Sequence, residues 1–141
     1  MPETTFFGLD FGTRRIGVAH GQRLLLSAEP VATVAASEGI PQWPQLDRLI
    51  ALWQPQAIVI GIPVHMDGAE SAMTLRARKF ARRVAHRYGL PVYPWDERLS
   101  SEEALWQRRE QGASRAGLDA EAAAIMLASY LRSLPATNSP P

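Results

Sequence analysis

Three acidic residues that lie far apart along the chain carry the clearest chemical signal in this sequence: Asp10, Glu97 and Asp119. Asp10 stands out because it lies inside FFGLDF, an apolar run typical of a buried strand. A carboxylate is rarely buried without a cation, because removing its charge from water is costly. Asp10 is therefore expected either to pair with Arg14 or Arg15 in the following turn, or to bind a metal ion.

The two other acids also have structural explanations of their own. Asp96 and Glu97 can form a solvated pair for Arg98, and Asp119 can cap the helix that follows it, since aspartate is a favoured N-cap. One shared site is the stronger interpretation, because three separate roles leave the buried setting of Asp10 unexplained. We expect the three acids to meet beyond the carboxyl ends of the strands, where open α/β sheets hold their sites.

Carboxylates gathered at one point require a cation, and oxygen ligands without histidine or cysteine select Mg²⁺ or Mn²⁺. Two such ions about 3.5–4 Å apart would clamp the attacking and leaving oxygens of a phosphodiester during hydrolysis. In that arrangement Asp10 bridges both ions, while Glu97 and Asp119 each complete one coordination sphere. The acids therefore predict metal-dependent phosphodiester hydrolysis.

The elements that must position these acids begin with three strands. They are predicted at residues 6–11, 16–19 and 24–28, the third extended through 30–34. Their connections are too short for helical crossovers, which predicts an antiparallel meander. Phe6, Gly8 and Asp10 share one face of the first strand, because side chains alternate along a strand. The missing side chain of Gly8 is expected to leave room for another backbone, an ion or a phosphate.

The remaining elements alternate between helices and strands. Apolar spacing predicts helices at residues 46–53, 75–88, 101–111 and about 120–134, and strands at 57–62 and 91–95, with the 91–95 strand at an edge. Loops are expected at 63–70 and 112–118. The prediction is an α/β fold in which a five-stranded mixed sheet, antiparallel and then parallel, carries helices on both faces. Residues 1–134 form a single domain, and residues 135–141 a disordered tail.

Composition narrows the classes of protein. The chain has 141 residues, 46% of them hydrophobic, and no cysteine, which excludes disulfides, thiol catalysis and cysteine-based zinc sites. No opening apolar segment with a basic flank is present, so we expect neither a signal peptide nor a membrane span. These features predict a cytoplasmic protein. We assign no chemistry to the three histidines, and we expect the four tryptophans to pack in the core.

The charges are distributed unevenly although the net charge is only +1. Between Ser71 and Trp95 the sequence has no acid and six basic residues: Arg76, Arg78, Lys79, Arg82, Arg83 and Arg87. These residues cannot all lie on one stripe of a helix, and a solvated face accounts for about half of them. An acid-free stretch is nevertheless more typical of contact with a nucleic-acid backbone, which predicts salt-dependent binding.

Four segments of this sequence resemble the YqgF family: GLDFGTRRIGVA at 8–19, GIPVHMDG at 61–68, DERLSS at 96–101 and LDAEAAAIML at 118–127. Members of that family have the RNase H-like fold and are described as Holliday junction resolvases or pre-16S rRNA nucleases. The resemblance implies that Asp10, Glu97 and Asp119 form the catalytic, metal-binding cluster, with Mg²⁺ or Mn²⁺ as cofactor. His65 stands where the family commonly has asparagine.

The resemblance also implies the substrate, and together with the basic stretch it predicts the residues that contact it. The expected activity is nuclease cleavage at the 5′ end of pre-16S rRNA, with Holliday junction DNA as the alternative substrate. Substrate contacts are expected from Thr13, Arg14, Arg15, Arg76, Lys79, Arg98 and Arg115. The partner is structured RNA or junction DNA, no membrane is involved, and monomer and homodimer both stay open.

Two other classes of function compete with the nuclease. A binding module with this fold would retain affinity for nucleic acid without cleaving it. Phosphate binding of the sugar-kinase and actin type is suggested by the DFGT sequence at residues 10–13, because the first hairpin of those proteins is similar. Such proteins close a nucleotide between two domains, so a one-domain chain makes this class the least favoured.

Overall fold

The central element is a six-stranded mixed sheet in the order β4-β3-β2-β1-β5-β6. A computed structural model describes residues 3–65, 67–99 and 115–135 of the chain, with side chains from residue 119 onward in the last range. The strands are β1 (Thr5–Asp10), β2 (Arg15–Gln22), β3 (Ser27–Ser37), β4 (Ile40–Pro41), β5 (Ala57–Ile62) and β6 (Val92–Asp96). The helices are α1 (Trp43–Trp53), α2 (Ala72–Tyr88) and α3 (Arg115–Ser133), and a 3₁₀ turn spans Glu97–Leu99.

The strand directions agree with the predicted fold class. β1, β2 and β3 form the antiparallel meander, and β5 pairs parallel to both β1 and β6. The sixth strand, which the sequence analysis missed, is the two-residue β4 that pairs with the end of β3. All six residues of β5 are buried, as expected for a central parallel strand covered on both faces.

The third strand begins later than predicted. Gln22 pairs with Ser27, so residues 23–26 form the turn of the β2–β3 hairpin rather than the start of a strand. Leu24, Leu25 and Leu26 are consequently 74%, 66% and 47% exposed. Apolar composition suggested a strand here, but β2 continues to Gln22 and leaves these leucines to reverse the chain.

Local sequence explains where α1 and α2 begin and end. Proline in the first turn of α1 fits the fixed backbone angle that a helix start requires. Ser71 caps α2 through a reciprocal capping box with Thr74, and Gly89 ends it in the left-handed conformation with φ of 63°. The predicted end of α2 at Gly89 is therefore confirmed.

Two hydrophobic cores lie on opposite faces of the sheet. Phe7, Leu9, Ile58 and Ile60 face α1 and α2, together with Leu46, Phe80 and Val84 of those helices. The other core includes Phe6, Ala19 and Val59 and is closed by Ala123, Leu127 and Leu131 of α3. Alternation along the strands separates these two sets, and the predicted helices on both faces are confirmed.

The last helix differs from its predicted start. α3 begins at Arg115, so residues 115–118 are helical rather than part of a loop, and Asp119 is not an N-cap. The predicted helix at 101–111, residues 112–114 of the predicted loop, and the tail beyond Pro135 lie outside the described residues. No helix in the described part of the chain combines the length and apolarity needed to cross a membrane.

Candidate active site

The site is built around Asp10, which ends β1 and has a glycine beside it on each neighbouring strand. Asp10 pairs with Gly17 of β2 and with Gly61 of β5. Residues paired across a sheet project on the same face, so Asp10 is flanked on both sides by positions without a side chain. That face is the one covered by α3, since a Cβ placed on Gly8 would lie 2.8 Å from Cβ of Leu127.

Gly61 makes room for Glu97. The 3₁₀ turn directly after β6 carries Glu97 over the end of β5, where a Cβ on residue 61 would lie 2.8 Å from its Oε1 atom and 3.1 Å from its Cγ atom. Any larger residue at position 61 would occupy the space that the carboxylate takes. The glycine therefore lets an acid from the sheet edge reach Asp10.

Gly17 makes room for the backbone that carries Asp119. A Cβ on residue 17 would lie 1.8 Å from the carbonyl oxygen of Asp119, closer than any two such atoms approach. α3 can therefore rest directly on β2 only because residue 17 is a glycine. Arg15, at the start of β2, donates a hydrogen bond from Nε to Oδ2 of Asp119 at 2.6 Å, and both side chains are about one-third exposed or less.

The three acids interact electrostatically. Desolvation by burial raises the pKa of Asp10 well above its usual value, and the charge of Glu97, a hydrogen bond to its carboxyl and the charge of Asp119 raise it further. The surroundings of Asp10 therefore disfavour its charged form, because burial and the two neighbouring acids act in the same direction. Arg15 offsets the charge of Asp119. Neither Arg14 nor Arg15 forms an ion pair with Asp10 among the described residues.

The chemistry of the donor set fits a hard divalent cation. The cluster offers only carboxylate oxygens, and a cation would remove the repulsion that raises the pKa of Asp10. Within the described ranges, no group of three or more acidic or histidine side chains is already arranged to hold one ion. Asp10 and Glu97 are instead hydrogen-bonded to each other and Asp119 is paired with Arg15, so a bound cation would replace these two contacts.

Arg98 lies against Asp96, the neighbour of Glu97. The Arg98 guanidinium and main-chain N–H donate to the Asp96 carboxylate at 2.9–3.1 Å, which lowers the pKa of Asp96. A further Arg98 nitrogen lies 3.4 Å from the carbonyl oxygen of His65. Asp96 is therefore engaged in holding the 3₁₀ turn, and Arg98 links that turn to the loop after β5.

The loop between β5 and α2 is organised by its own hydrogen bonds. The N–H of His65 donates to Ala69 O at 3.0 Å, the N–H of Gly68 donates to His65 O at 2.8 Å, and Gly68 has φ of 87°. Thr74, completely buried at the start of α2, donates from its hydroxyl to the carbonyl of Pro63. The capping residues of α2 thus fix a loop that leaves His65 exposed beside Arg98.

The other predicted contact residues lie on the β1–β2 turn, on α2 and at the start of α3. Thr13 and Arg14 belong to the β1–β2 turn, where their carbonyls accept from Gly39 and Ala36. Arg76 and Lys79 are exposed on α2, and Arg115 is the first residue of α3. Sequence reasoning missed the roles of Gly17 and Gly61, although two glycines within apolar strands were a visible signal. The room predicted at Gly8 is taken by another backbone, that of α3, as one of the three predicted alternatives.

Solved structures with the same architecture define the fold class of the protein. The structure matches Thermus thermophilus RuvC in complex with a Holliday junction substrate with a TM-score of 0.54, at 23% identity, covering 92% of this chain and 95% of that chain. It matches the yeast mitochondrial Holliday junction resolvase Ydc2 with a TM-score of 0.53, at 13% identity, covering 93% and 79%. The fold is RNase H-like.

The family follows from sequence. Residues 4–133 match the family model RuvX, described as Holliday junction resolvase. A protein of Pseudomonas fluorescens named "Putative pre-16S rRNA nuclease" is 46% identical over 129 residues, which cover 88% of this chain and 89% of that protein. A protein of the same name from Sodalis glossinidius is 43% identical over 135 residues, covering 93% and 96%. This chain belongs to the RuvX family, also called YqgF, as its motifs predicted.

Proposed function

We propose that this protein is a metal-dependent nuclease that hydrolyses phosphodiester bonds, with Asp10, Glu97 and Asp119 as its catalytic and metal-binding residues. The observation that carries the proposal is the placement of Glu97 over Gly61 and of the Asp119 backbone over Gly17, the two residues that pair with Asp10. Such a cluster of acids is unfavourable without a cation and has no role in packing. The two glycines beside Asp10 support a functional cluster, because they let the other acids approach.

Each acid has a proposed task in the reaction. Asp10, the most enclosed of the three, would contact both Mg²⁺ or Mn²⁺ ions, while Glu97 and Asp119 would each hold one. Bound there, the ions would activate a water molecule and stabilise the negative charge that develops on the phosphate oxygens. Before a cation binds, Arg15 holds the Asp119 carboxylate, and Arg98 links the turn that carries Glu97 to the loop after β5.

The proposed substrate is pre-16S rRNA, cleaved at its 5′ end, in the cytoplasm. The curated relatives at 42–46% identity carry the name of that activity. Junction DNA is the second candidate, favoured by the family description and by the resolvases that share the fold. Residues proposed to contact the substrate are Thr13, Arg14, Arg15, Arg76, Lys79, Arg98 and Arg115. The two candidate substrates differ in the oligomeric state that they require.

The decisive experiment compares wild-type protein with Asp10→Asn in cleavage of matched pre-16S rRNA and four-way junction substrates. Asparagine keeps the shape of the side chain but removes the charge that a cation needs, so we expect cleavage in Mg²⁺ or Mn²⁺ to fall to background. Gel assays with end-labelled substrates measure this, and cleavage of only one substrate identifies which one the protein acts on.

Glu29→Gln is the matched control, because it removes one negative charge from an exposed position on β3. It should cleave as the wild type does. Binding without cleavage in any divalent cation, for both wild type and Asp10→Asn, would contradict the nuclease and favour a binding module. ATP hydrolysis that is insensitive to added nucleic acid would favour the phosphate-binding class instead.

A further inference from the structure

A groove of about 260 Å³ lies between α2 and the edge strand β6. Its apolar lining comes from Ile62, Ala81, Ala85 and Val92, with Pro94 at the outer side. Two cations, Arg78 and Arg82, line the same groove and are exposed. An apolar floor with a positively charged border suits a chain that carries flat apolar bases on an anionic backbone.

Helical geometry divides the basic residues of α2 into two sides. At 100° per residue, Arg78 and Arg82 lie next to each other on the side of α2 that borders β6. Arg76, Lys79, Arg83 and Arg87 lie on the other side, and Arg87 is bound there to Asp47 of α1. The groove therefore has its own pair of cations, separate from the side of α2 to which the sequence analysis assigned substrate contacts.

The two cations of the groove are not equally available. Arg78 donates from Nε to Glu70 at 2.7 Å in a pair that is nearly half exposed. Arg82 has no ion-pair partner among the described residues, and α2 has no acid that would neutralise it. Arginine binds phosphate through a planar fork of donors, so Arg82 is the cation free to do so.

The groove and the acidic cluster lie at the same end of the sheet but on opposite faces. Ile62, at one end of the groove, pairs with Asp96, and Glu97 follows Asp96 directly. The side chain of Ile62 belongs to the core under α2, whereas the Glu97 carboxylate lies over Gly61 on the face covered by α3. A strand with one phosphate at the three acids would therefore reach the groove by bending around the ends of β5 and β6.

We propose that the α2–β6 groove binds the single-stranded segment of the nucleic-acid substrate next to the cleaved bond, with Arg82 contacting a backbone phosphate. This proposal rests on the proposed nuclease function and adds the path of the strand to it. The apolar floor contacts bases without hydrogen-bonding groups that would read them, so binding in the groove is largely independent of sequence.

The test compares Arg82→Gln with Arg48→Gln, which removes the same charge from an exposed position on α1 to which no substrate contact is assigned. Binding of a short fluorescein-labelled single-stranded RNA, and of DNA with the same sequence, is measured by anisotropy in EDTA at several salt concentrations. We expect Arg82→Gln to bind both polymers about tenfold more weakly. The slope of log affinity against log salt should fall by roughly 0.7 for the lost phosphate. Arg48→Gln should bind like the wild type.

Equal binding by Arg82→Gln and Arg48→Gln would overturn the groove, and so would a loss confined to RNA or to DNA, since phosphates are common to both. These outcomes are separable from failure of the nuclease, because wild-type cleavage is assayed independently. If the wild type binds but does not cleave, the nuclease fails while the binding comparison still decides the groove. If the wild type binds neither polymer, the groove fails, and the cleavage assay alone decides the nuclease.

The absence of cysteine from the chain allows a second, independent measurement. Ala85→Cys introduces one thiol into the groove, and Ala51→Cys introduces one at an exposed position on α1. Bound single-stranded RNA should slow maleimide labelling at position 85 several-fold and leave labelling at position 51 unchanged. Equal labelling rates at position 85 with and without RNA would overturn the groove even if Arg82→Gln weakened binding.

Discussion

At the scale of single residues, the candidate site depends on two positions where a side chain is missing. Gly17 and Gly61 flank Asp10 on the neighbouring strands, and each accommodates one of the other acids. The two glycines differ in what occupies the space beside them. A carboxylate at the end of a flexible side chain lies over Gly61, whereas rigid backbone lies over Gly17, so the same substitution should have different consequences.

Gly61→Ala should reduce cleavage far more than stability. The new methyl group would lie 2.8 Å from Oε1 of Glu97 and would push this side chain away from Asp10, while the Glu97 side chain can swing toward solvent. We expect a Tm within a few degrees of the wild type and cleavage reduced by about 10²-fold, as for a misplaced catalytic group. Differential scanning fluorimetry and gel cleavage assays measure the two effects.

Gly17→Ala is the informative comparison. Its methyl group would meet the carbonyl of Asp119, which cannot move without lifting α3 from the sheet. A loss of roughly 3 kcal/mol is expected from such overpacking, or a decrease in Tm on the order of 10 °C. If Gly61→Ala lowered Tm as much as Gly17→Ala, or left cleavage intact, the assigned role of Gly61 would be wrong.

At the scale of elements, α1 and α2 are joined by one polar contact over their shared apolar core. Asp47 of α1 accepts two hydrogen bonds from Arg87 at 2.7–2.8 Å and one from the hydroxyl of Tyr88 at 2.6 Å. These contacts, with that of Arg87 first, lower the pKa of Asp47 to about 2. Arg87 also lies 4.8 Å above the ring of Trp43, so it contacts α1 twice.

Asp47→Asn should destabilise the protein in a pH-dependent way. Because the folded-state pKa of Asp47 lies below its unfolded value of 3.8, its contribution is complete above that value and is lost as the pH falls toward about 2. The difference in unfolding free energy between wild type and variant should be constant from pH 7 to pH 5 and shrink below pH 4. It should be small throughout, because the Asp47 and Arg87 side chains are 39% and 42% exposed and solvent screens them.

Urea denaturation at each pH measures this difference, and Glu29→Gln serves again as an exposed control. A difference that grew as the pH fell would contradict the assigned contact. The same contact explains why Arg87 is a poor candidate for substrate binding although it lies in the basic segment. Its charge is already bound, and only the charges of α2 that have no acidic partner are available to a nucleic acid.

At the scale of the whole molecule, α3 links stability to the site. It closes one of the two cores through Ala123, Leu127 and Leu131, and its first turns carry Asp119 over β2. The sheet contributes Asp10, and the turn after its edge strand contributes Glu97. The acids therefore come from three separate parts of the fold, and folding brings their mutually repelling negative charges close together.

Binding of a cation should consequently stabilise the whole molecule. Mn²⁺ would neutralise the three acids in the folded state only, so Tm of the wild type should rise with Mn²⁺ concentration and level off slowly, as expected for mass action. Asp10→Asn should start from an equal or higher Tm in EDTA, since one repelling charge is gone, and should respond much less to Mn²⁺. Identical Mn²⁺ responses of the two proteins would argue against a metal site at these residues.

The sequence by itself determined the class of the fold, the order of its elements and the identity of the three acids of the candidate site. Buried strands, helix caps and the order βββ-α-β-α-β are recognised from local patterns, namely the residue types at helix ends and the spacing of apolar side chains. Errors arose where a local pattern was ambiguous. Leu24, Leu25 and Leu26 have strand composition but form the turn of a hairpin, and α3 begins at Arg115 although residues 112–118 suggested a loop.

Only the tertiary structure decided how the acids meet and which charges are available. The contact of Asp10 with Glu97, the pairing of Arg15 with Asp119 and the approach of α3 over Gly17 join residues that are 87, 104 and 102 positions apart. No local pattern encodes such distances, because they depend on the register of the strands and on the side of the sheet that each helix covers. For the same reason Arg82 and Arg83, adjacent and identical in sequence, differ in their position on α2, and only Arg82 lines the groove.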